Sequence, residues 1–183
     1  ARLALGMAWA RPERVLGVIS IGAHFGIQDP GERERRRAWE SAQVALLTLR
    51  GLAVFVEYWE SLPLFDTQQG LAVDVLERQR AARLSHDPNG IAEALASLGT
   101  GSMPNLLGPL SRARVPLLLL AGRRDSRFVG EAERALRVLP HACMQAIDNA
   151  GHNAVLEARG ALAHAIDDQL ERWSQSPRME TRP

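Results

Sequence analysis

The amino-acid sequence predicts an α/β protein in which an all-helical insertion interrupts a parallel sheet. Largely apolar segments occur at 15–21, 115–121 and 142–148. Such runs are typical of strands in a parallel sheet that is covered on both faces. Between the first and second runs the apolar residues recur at helical spacing only. Because helices are also predicted after the second and third runs, the layout is that of a sheet with crossover helices and one helical cap.

The positions of proline and glycine separate the predicted elements. A helix from Leu3 to Arg11 stops at Pro12, and a Gly- and Pro-rich loop at 22–31 follows the first strand. The remaining helices are predicted at 32–49, 53–60, 68–84, 89–98, 105–110, 129–138 and 159–173. The chain is therefore predicted to contain a sheet domain (1–28 and 112–174), a helical cap (29–111) and a flexible tail (175–183).

The composition is that of an ordinary globular domain. The chain has 183 residues, 46% hydrophobic and 23% charged, which is enough for a substantial core. A net charge of +1 gives no reason to expect nucleic acid or a membrane as partner, and no apolar run approaches the roughly 20 residues of a membrane span. All 22 basic residues are arginine, so an anion site would be built from guanidinium groups. The single Cys143 excludes an internal disulfide and a multi-cysteine metal site, and its apolar strand predicts a core residue.

Two polar loops carry the clearest chemical signal. Asp125 follows the second predicted strand within Gly122-Arg123-Arg124-Asp125, and His152 follows the third within Ala150-Gly151-His152. An acid followed by a histidine along the chain is the order in which an α/β-hydrolase supplies two members of its nucleophile-histidine-acid triad. No Gly-x-Ser-x-Gly motif occurs in the 183 residues, so the nucleophile of such a triad is not among them.

Further motifs narrow the choice within that fold. They are Ala1-Arg2-Leu3-Ala4, Gly26-Ile27-Gln28 with the arginine cluster at 33–37, Trp59 with Pro63-Leu64-Phe65, Arg83-Leu84, Leu98-Gly99-Thr100-Gly101, the Asp125 loop through Phe128, and Ala150-Gly151-His152-Asn153. Over nearly all of residues 1 to 173 the chain resembles the 2-succinyl-6-hydroxy-2,4-cyclohexadiene-1-carboxylate synthases of menaquinone biosynthesis. The aspartate and Gly-His motifs would fit any hydrolase of the fold. The motifs in the predicted cap are more specific, namely Trp59 with Pro63-Leu64-Phe65 and Gly99-Thr100-Gly101.

The resemblance implies the fold and the reaction. It implies the C-terminal part of an α/β-hydrolase parallel sheet with an inserted all-helical cap, N-terminally truncated, with the nucleophile serine three residues before Ala1. The implied activity is that of a carbon-oxygen lyase, which eliminates pyruvate from 2-succinyl-5-enolpyruvyl-6-hydroxy-3-cyclohexene-1-carboxylate to give 2-succinyl-6-hydroxy-2,4-cyclohexadiene-1-carboxylate. The reaction needs a base and oxyanion donors but no metal and no redox cofactor. We expect a cytoplasmic enzyme whose fragment of 183 residues is inactive by itself.

The resemblance also implies roles for six residues. Asp125 would orient His152, and His152 would keep the serine oxygen basic. The substrate is a small polycarboxylate, which explains an arginine-rich pocket formed by Arg2, Arg36 and Arg83, with Trp59 as a pocket wall. Four departures from the family stand out. Ala1 replaces a glycine, and Ser102-Met103 replaces a glutamine-containing step. Glu60 stands where some relatives have tyrosine, and Glu40 replaces an aspartate, an exchange expected to be harmless.

Each role has a structural alternative. His152 could be an ordinary loop histidine, and Asp125 could pair with Arg123 or Arg124. The cluster 32–37 is also the pattern of a solvated helix face with i,i+4 ion pairs, and Trp59 could serve packing within the cap. For the whole chain the alternatives are a generic ester or carbon-carbon bond hydrolase of the same fold, and a non-catalytic truncated paralogue that acts as a binding module. The oligomeric state does not follow from the sequence.

Overall fold

The structure is a computed structural model that describes residues 1–175. Its helices are α1 (Arg2–Ala10), α2 (Pro30–Glu60), α3 (Val73–Leu84), α4 (Pro88–Leu98), α5 (Leu107–Arg112), α6 (Ser126–Leu136), α7 (Ala154–Glu157) and α8 (Arg159–Gln175), and its strands are β1 (Val18–Ile21), β2 (Leu117–Gly122) and β3 (Ala142–Ile147). Short 3-10 helices lie at Pro12–Arg14 and Pro63–Gly70. Of the predicted tail 175–183, Gln175 ends α8 and the rest lies outside the described residues.

The described chain divides into two compact units. The sheet unit consists of Ala1–Phe25 and the described residues from Leu106 onward, and the helical unit is Gly26–Asn105. The predicted cap extended to 111, but α5 belongs to the sheet unit, where Leu107 and Leu110 are buried in its core. An apolar helix of this length gives no sequence signal of which neighbour it packs against.

The three strands form a parallel sheet in the order β1-β2-β3. In the register, Val18 pairs with Leu117, and Leu117 pairs with Ala142. All six residues of β2 are buried, as its continuous apolar run predicts. The prediction that Cys143 is a core residue was wrong, because β3 pairs on one side only among the described strands and Cys143 is exposed.

Helices cover both faces of the sheet. On one face α1, α5 and α6 pack against the strands through apolar residues that include Leu5, Leu110 and Ala135. On the other face α7 and α8 contribute Ala154 and Leu162. This double cover explains why the middle strand is apolar throughout.

The helical unit is built on the long helix α2. Asp29 caps its N-terminus by accepting a hydrogen bond from the backbone N–H of Glu32 at 2.6 Å. Gly51 has φ 84° and interrupts the helix, where the sequence predicted a gap between two helices. The predicted helix 68–84 was too long, because its beginning is the 3-10 helix and α3 starts at Val73. Leu47, Phe55 and Val56 form the core of the unit.

By length and composition α2 is the one helix within residues 1–175 that could span a membrane. This is weak evidence, because the core helix of a globular protein passes the same criterion. The break at Gly51 divides the helix, and Leu47, Phe55 and Val56 are buried within the unit. We therefore interpret α2 as the core helix of the helical unit.

Candidate active site

His152 and Asp125 form a hydrogen-bonded pair in the sheet unit. His152 Nδ1 lies 2.8 Å from Asp125 Oδ2, which confirms the contact expected from the two polar loops. The Asp125 side chain is 7% exposed and that of His152 is 24% exposed. With the carboxylate ionised, Nδ1 is the donor, and the other ring nitrogen then carries the lone pair that a general base needs.

Asp125 is held at the start of α6, just beyond the end of β2. Its Oδ1 accepts a hydrogen bond from the backbone N–H of Phe128 at 3.3 Å, so one oxygen caps the helix and the other contacts His152. The alternative that Asp125 pairs with Arg123 is not found in the structure, where Asp125 contacts His152. Arg123 instead pairs with Asp148 on the exposed surface.

Close backbone packing positions the loop that carries His152. A side chain at Gly122 would collide with the carbonyl oxygens of Ala150 and Gly151. The backbone N–H of Arg124 donates to the carbonyl of Ala150 at 2.9 Å, which ties this loop to the Asp125 loop. The required glycine therefore allows the ends of two neighbouring strands to approach closely enough for the acid and the histidine to meet.

Two other groups line the imidazole ring of His152. The Phe128 ring lies 4.5 Å from it, centroid to centroid, at an interplanar angle of 45°. At the end of β1, Gly22 has φ 58°, and a Cβ there would lie 3.2 Å from His152 Cε1. Residues after all three strands thus surround one imidazole.

A second histidine of the sheet unit lies in a charged environment. Burial lowers the pKa of His24; Glu131 raises it, and Arg127, Arg134 and Arg2 lower it further. Arg2, one of the predicted substrate ligands, begins α1 in this unit. Its role in binding substrate stays a prediction.

In the helical unit Arg36 is bound to a buried carboxylate. Arg36 Nε donates to Glu40 Oε1 at 2.7 Å, and the guanidinium lies 4.4 Å from the centre of the Trp39 ring. The same Glu40 oxygen accepts the backbone N–H of Thr100 at 2.7 Å, and Oε2 accepts that of Gly101 at 3.2 Å. Arg36 is therefore a held side chain, 31% exposed, rather than a fully solvated one.

Arg83 is held in a similar way by Glu60. Arg83 Nη1 donates to Glu60 Oε1 at 2.9 Å, and Arg80 pairs with the other oxygen of Glu60. The Arg83 guanidinium also lies 5.3 Å from the centre of the Phe65 ring. These side chains line a pocket of about 270 Å³ within the helical unit, together with Gln68 and Leu76.

An aromatic row connects the two arginine sites. Trp59 lies 6.2 Å from Trp39, 5.6 Å from Phe55 and 6.3 Å from Phe65, measured between ring centroids. Since Trp39 contacts Arg36 and Phe65 contacts Arg83, the row brings the three predicted cap residues onto one continuous cluster. Trp59 packs within the helical unit, and its service as a pocket wall stays a prediction.

Comparisons with known proteins show what the chain is similar to. A Bacillus subtilis (strain 168) protein, provisionally named 2-succinyl-6-hydroxy-2,4-cyclohexadiene-1-carboxylate synthase, is 37% identical over 157 residues, covering 85% of this chain and 57% of the relative. The solved structure of MenH from S. aureus matches with a TM-score of 0.92 at 32% identity, over 95% of this chain and 65% of that chain. The chain is similar to these synthases over most of its own length. It spans less than two thirds of the length of both relatives.

The fold assignment extends beyond the synthases. A thermophilic esterase from Thermogutta terrifontis matches with a TM-score of 0.77 at 24% identity, over 94% of this chain and 61% of that chain, a likeness that concerns the fold alone. No model of a protein family matches the chain. The parallel sheet and the helical unit between β1 and β2 are those of an α/β-hydrolase with an inserted all-helical cap.

Sequence reasoning missed two carboxylates that organise the site. Glu40 was considered only as an exchange for aspartate, and the structure shows that it is 4% exposed and binds Arg36 and two backbone N–H groups. Glu157 accepts backbone N–H groups on both sides of His152. The signal for Glu157 was local, since Asn153 with a glutamate one helical turn later is similar to a capping pattern. Nothing local marks the burial of Glu40, because its backbone partners lie 60 and 61 residues away along the chain.

Metal-ligating groups do not cluster in the described part of the chain. Within residues 1–175 no group of three or more His, Cys, Asp and Glu side chains is arranged to hold a metal ion.

Proposed function

We propose that this chain forms part of a carbon-oxygen lyase that eliminates pyruvate from 2-succinyl-5-enolpyruvyl-6-hydroxy-3-cyclohexene-1-carboxylate. The observation that carries the proposal is the Asp125–His152 pair at 2.8 Å, in a chain related by sequence to synthases named for the product of that reaction. We further propose that the enzyme is cytoplasmic, that its substrate is a small polycarboxylate, and that it uses no metal or redox cofactor.

The proposed reaction requires a base and a way to hold negative charge. A proton leaves the ring carbon next to the succinyl carbonyl, the C–O bond to the enolpyruvyl group breaks, and the ring gains a second double bond. The leaving enolpyruvate takes up a proton and becomes pyruvate. His152 would accept a proton from the serine of an elbow segment, so that the serine oxygen serves as the base, while Asp125 stabilises the imidazolium.

The arginine side chains of the helical unit indicate a substrate that carries carboxylates. A guanidinium has five N–H donors, and the bond to Glu40 or Glu60 uses one of those of Arg36 or Arg83. The remaining donors of each group suit carboxylates, which arginine binds in a bidentate manner. The aromatic row holds the two groups on one cluster, which supports a pocket for a substrate with several carboxylates. We propose that Arg2 of the sheet unit also binds substrate.

The test measures pyruvate released from the cyclohexene substrate, followed through NADH oxidation by lactate dehydrogenase. The 183-residue chain should release none, because it contains no Gly-x-Ser-x-Gly motif. The chain extended at its N-terminus by a segment that carries this elbow, here called the extended enzyme, should release pyruvate. His152→Ala in the extended enzyme should lower the rate at least about a hundredfold, the usual contribution of a general base.

The control is His164→Ala, which removes an imidazole that is 78% exposed on α8 and should leave the rate unchanged. Pyruvate release by the 183-residue chain, or an unchanged rate after His152→Ala, would overturn the mechanism. An extended enzyme that hydrolyses p-nitrophenyl esters but leaves the cyclohexene substrate intact would instead be a generic hydrolase of the fold.

A further inference from the structure

The backbone on both sides of His152 is bound by one carboxylate. Glu157 Oε2 accepts the N–H of Gly151 at 2.7 Å, and Oε1 accepts the N–H of Asn153 at 3.2 Å. Hydrogen bonds from an N–H group to an ionised carboxylate are roughly twice as strong as bonds between neutral groups. A single side chain therefore fixes the peptide before and the peptide after the imidazole.

The local helix explains how Glu157 reaches these groups. Helix α7 is a single turn, with Asn153 at its N-cap and Glu157 as its last residue. The backbone N–H of Glu157 donates to the carbonyl of Asn153 at 2.9 Å, which folds the side chain of Glu157 back toward the loop. The arrangement is similar to a capping box, in which an acidic side chain binds the N–H of the N-cap residue. Here the second oxygen extends the contact to Gly151.

A capping role alone would not require this second contact. Gly151 lies before His152 and outside the helix, so its bond to Glu157 adds nothing to the helix ladder. It restrains the direction in which the His152 side chain leaves the backbone. Two contacts depend on the orientation of the imidazole. They are the hydrogen bond to Asp125 at 2.8 Å and the contact with the Phe128 ring, whose centroid lies 4.5 Å away.

We propose that Glu157 is a positioning residue for the catalytic imidazole, acting through the two backbone N–H groups that flank His152. This inference rests on the proposed function for its catalytic consequence, whereas its structural part concerns only the His152 loop. Glu157 does not act as acid or base in the reaction. Its loss should leave substrate binding intact and lower the rate of the chemical step, because displacement of a catalytic group by about 1 Å costs up to roughly a hundredfold.

The first experiment measures the His152 loop by NMR in the 183-residue chain, with no reference to activity. In Glu157→Ala the amides of Gly151 and Asn153 should exchange with solvent faster, and the nuclear Overhauser contact between the His152 and Phe128 rings should be lost. Glu157→Gln should be intermediate, because its amide oxygen can accept one N–H while its amide nitrogen faces the other donor. Glu133→Gln, on the exposed face of α6, is the control and should change neither signal.

The second experiment measures kcat and KM in the extended enzyme. Glu157→Ala should lower kcat roughly ten- to a hundredfold with KM within about twofold, and Glu157→Asp, which keeps two acceptor oxygens, should recover part of the loss. Preserved ring contacts in Glu157→Ala, or an unchanged kcat in a variant that is merely less stable, would overturn the proposal. If the extended enzyme releases no pyruvate, the proposed function fails, but the NMR result still decides whether Glu157 positions His152.

Discussion

The sheet unit and the helical unit hold their candidate functional side chains by different means. In the sheet unit the backbone positions His152. Gly122 lets the ends of two strands approach closely, and the backbone N–H groups on both sides of His152 donate hydrogen bonds to the Glu157 carboxylate. In the helical unit side chains position Arg36 and Arg83, through Glu40, Glu60 and an aromatic row. A group that moves a proton needs a fixed direction, whereas a group that binds a carboxylate needs charge and adjustable reach.

The difference has an energetic side. Arg36 and Arg83 each already have an anionic partner, so a substrate carboxylate must share the guanidinium with Glu40 or Glu60. The bond between His152 and Asp125, in contrast, is part of the proposed chemistry itself. Changes in the helical unit should therefore alter binding, and changes near His152 should alter turnover.

The largest effect on binding is expected from the arginines. Arg36→Ala and Arg83→Ala in the extended enzyme should each lower kcat/KM for the cyclohexene substrate roughly a hundredfold, because loss of one member of a buried charge pair costs about 2–5 kcal/mol. The loss of kcat/KM should appear mainly as an increase in KM. Arg35→Ala and Arg78→Ala are the controls, since Arg35 is exposed and Arg78 is 70% exposed on α3. Normal turnover by both Arg36→Ala and Arg83→Ala would remove the chemical basis for a polycarboxylate substrate.

A smaller effect is expected from Glu40. Glu40→Gln keeps the shape of the side chain but removes its charge and turns an amide N–H₂ toward donor groups. The free energy of unfolding should fall by about 1.5–3 kcal/mol, the usual contribution of a hydrogen bond to a charged group, in urea titrations of the chain. Hydrogen exchange at the amides of Thr100 and Gly101 should become faster.

The control for this change lies in the same helix. Glu34→Gln removes a carboxylate that is 75% exposed and 3.7 Å from Arg37, so the free energy of unfolding should change by less than about 0.5 kcal/mol. Equal losses in Glu34→Gln and Glu40→Gln would show that the buried carboxylate has no special part in the helical unit.

The smallest effect is a pH dependence from the sheet unit. Burial lowers the pKa of His24 below its ordinary value of about 6.5. The unfolded chain therefore binds a proton at a higher pH than the folded chain, and this contribution to stability is lost as the pH falls below about 6.5. His24→Gln should reduce the decline in unfolding free energy between about pH 7 and pH 5, measured by urea titration. An unchanged decline in the variant would contradict this assignment.

Much of the fold could be predicted because its signals are local. The apolar run at 115–121 predicted a buried strand, and the glycine at 51 fell in the predicted gap between two helices. The Asp125 and His152 loops were found for the same reason, since each motif is continuous along the chain. The predicted roles of Arg2, Arg36, Arg83 and Trp59 in substrate binding stay predictions.

The sequence by itself determined the order of the strands and of the longer helices, and which two residues could form an acid-histidine pair, because apolar periodicity and turn residues act over a few positions. The tertiary structure alone decided that Cys143 is exposed and that Glu40 is a buried acceptor. It alone decided that Glu60 holds Arg83. These properties depend on partners that are distant along the chain, and a carboxylate next to arginines in sequence looks the same whether it is solvated or buried.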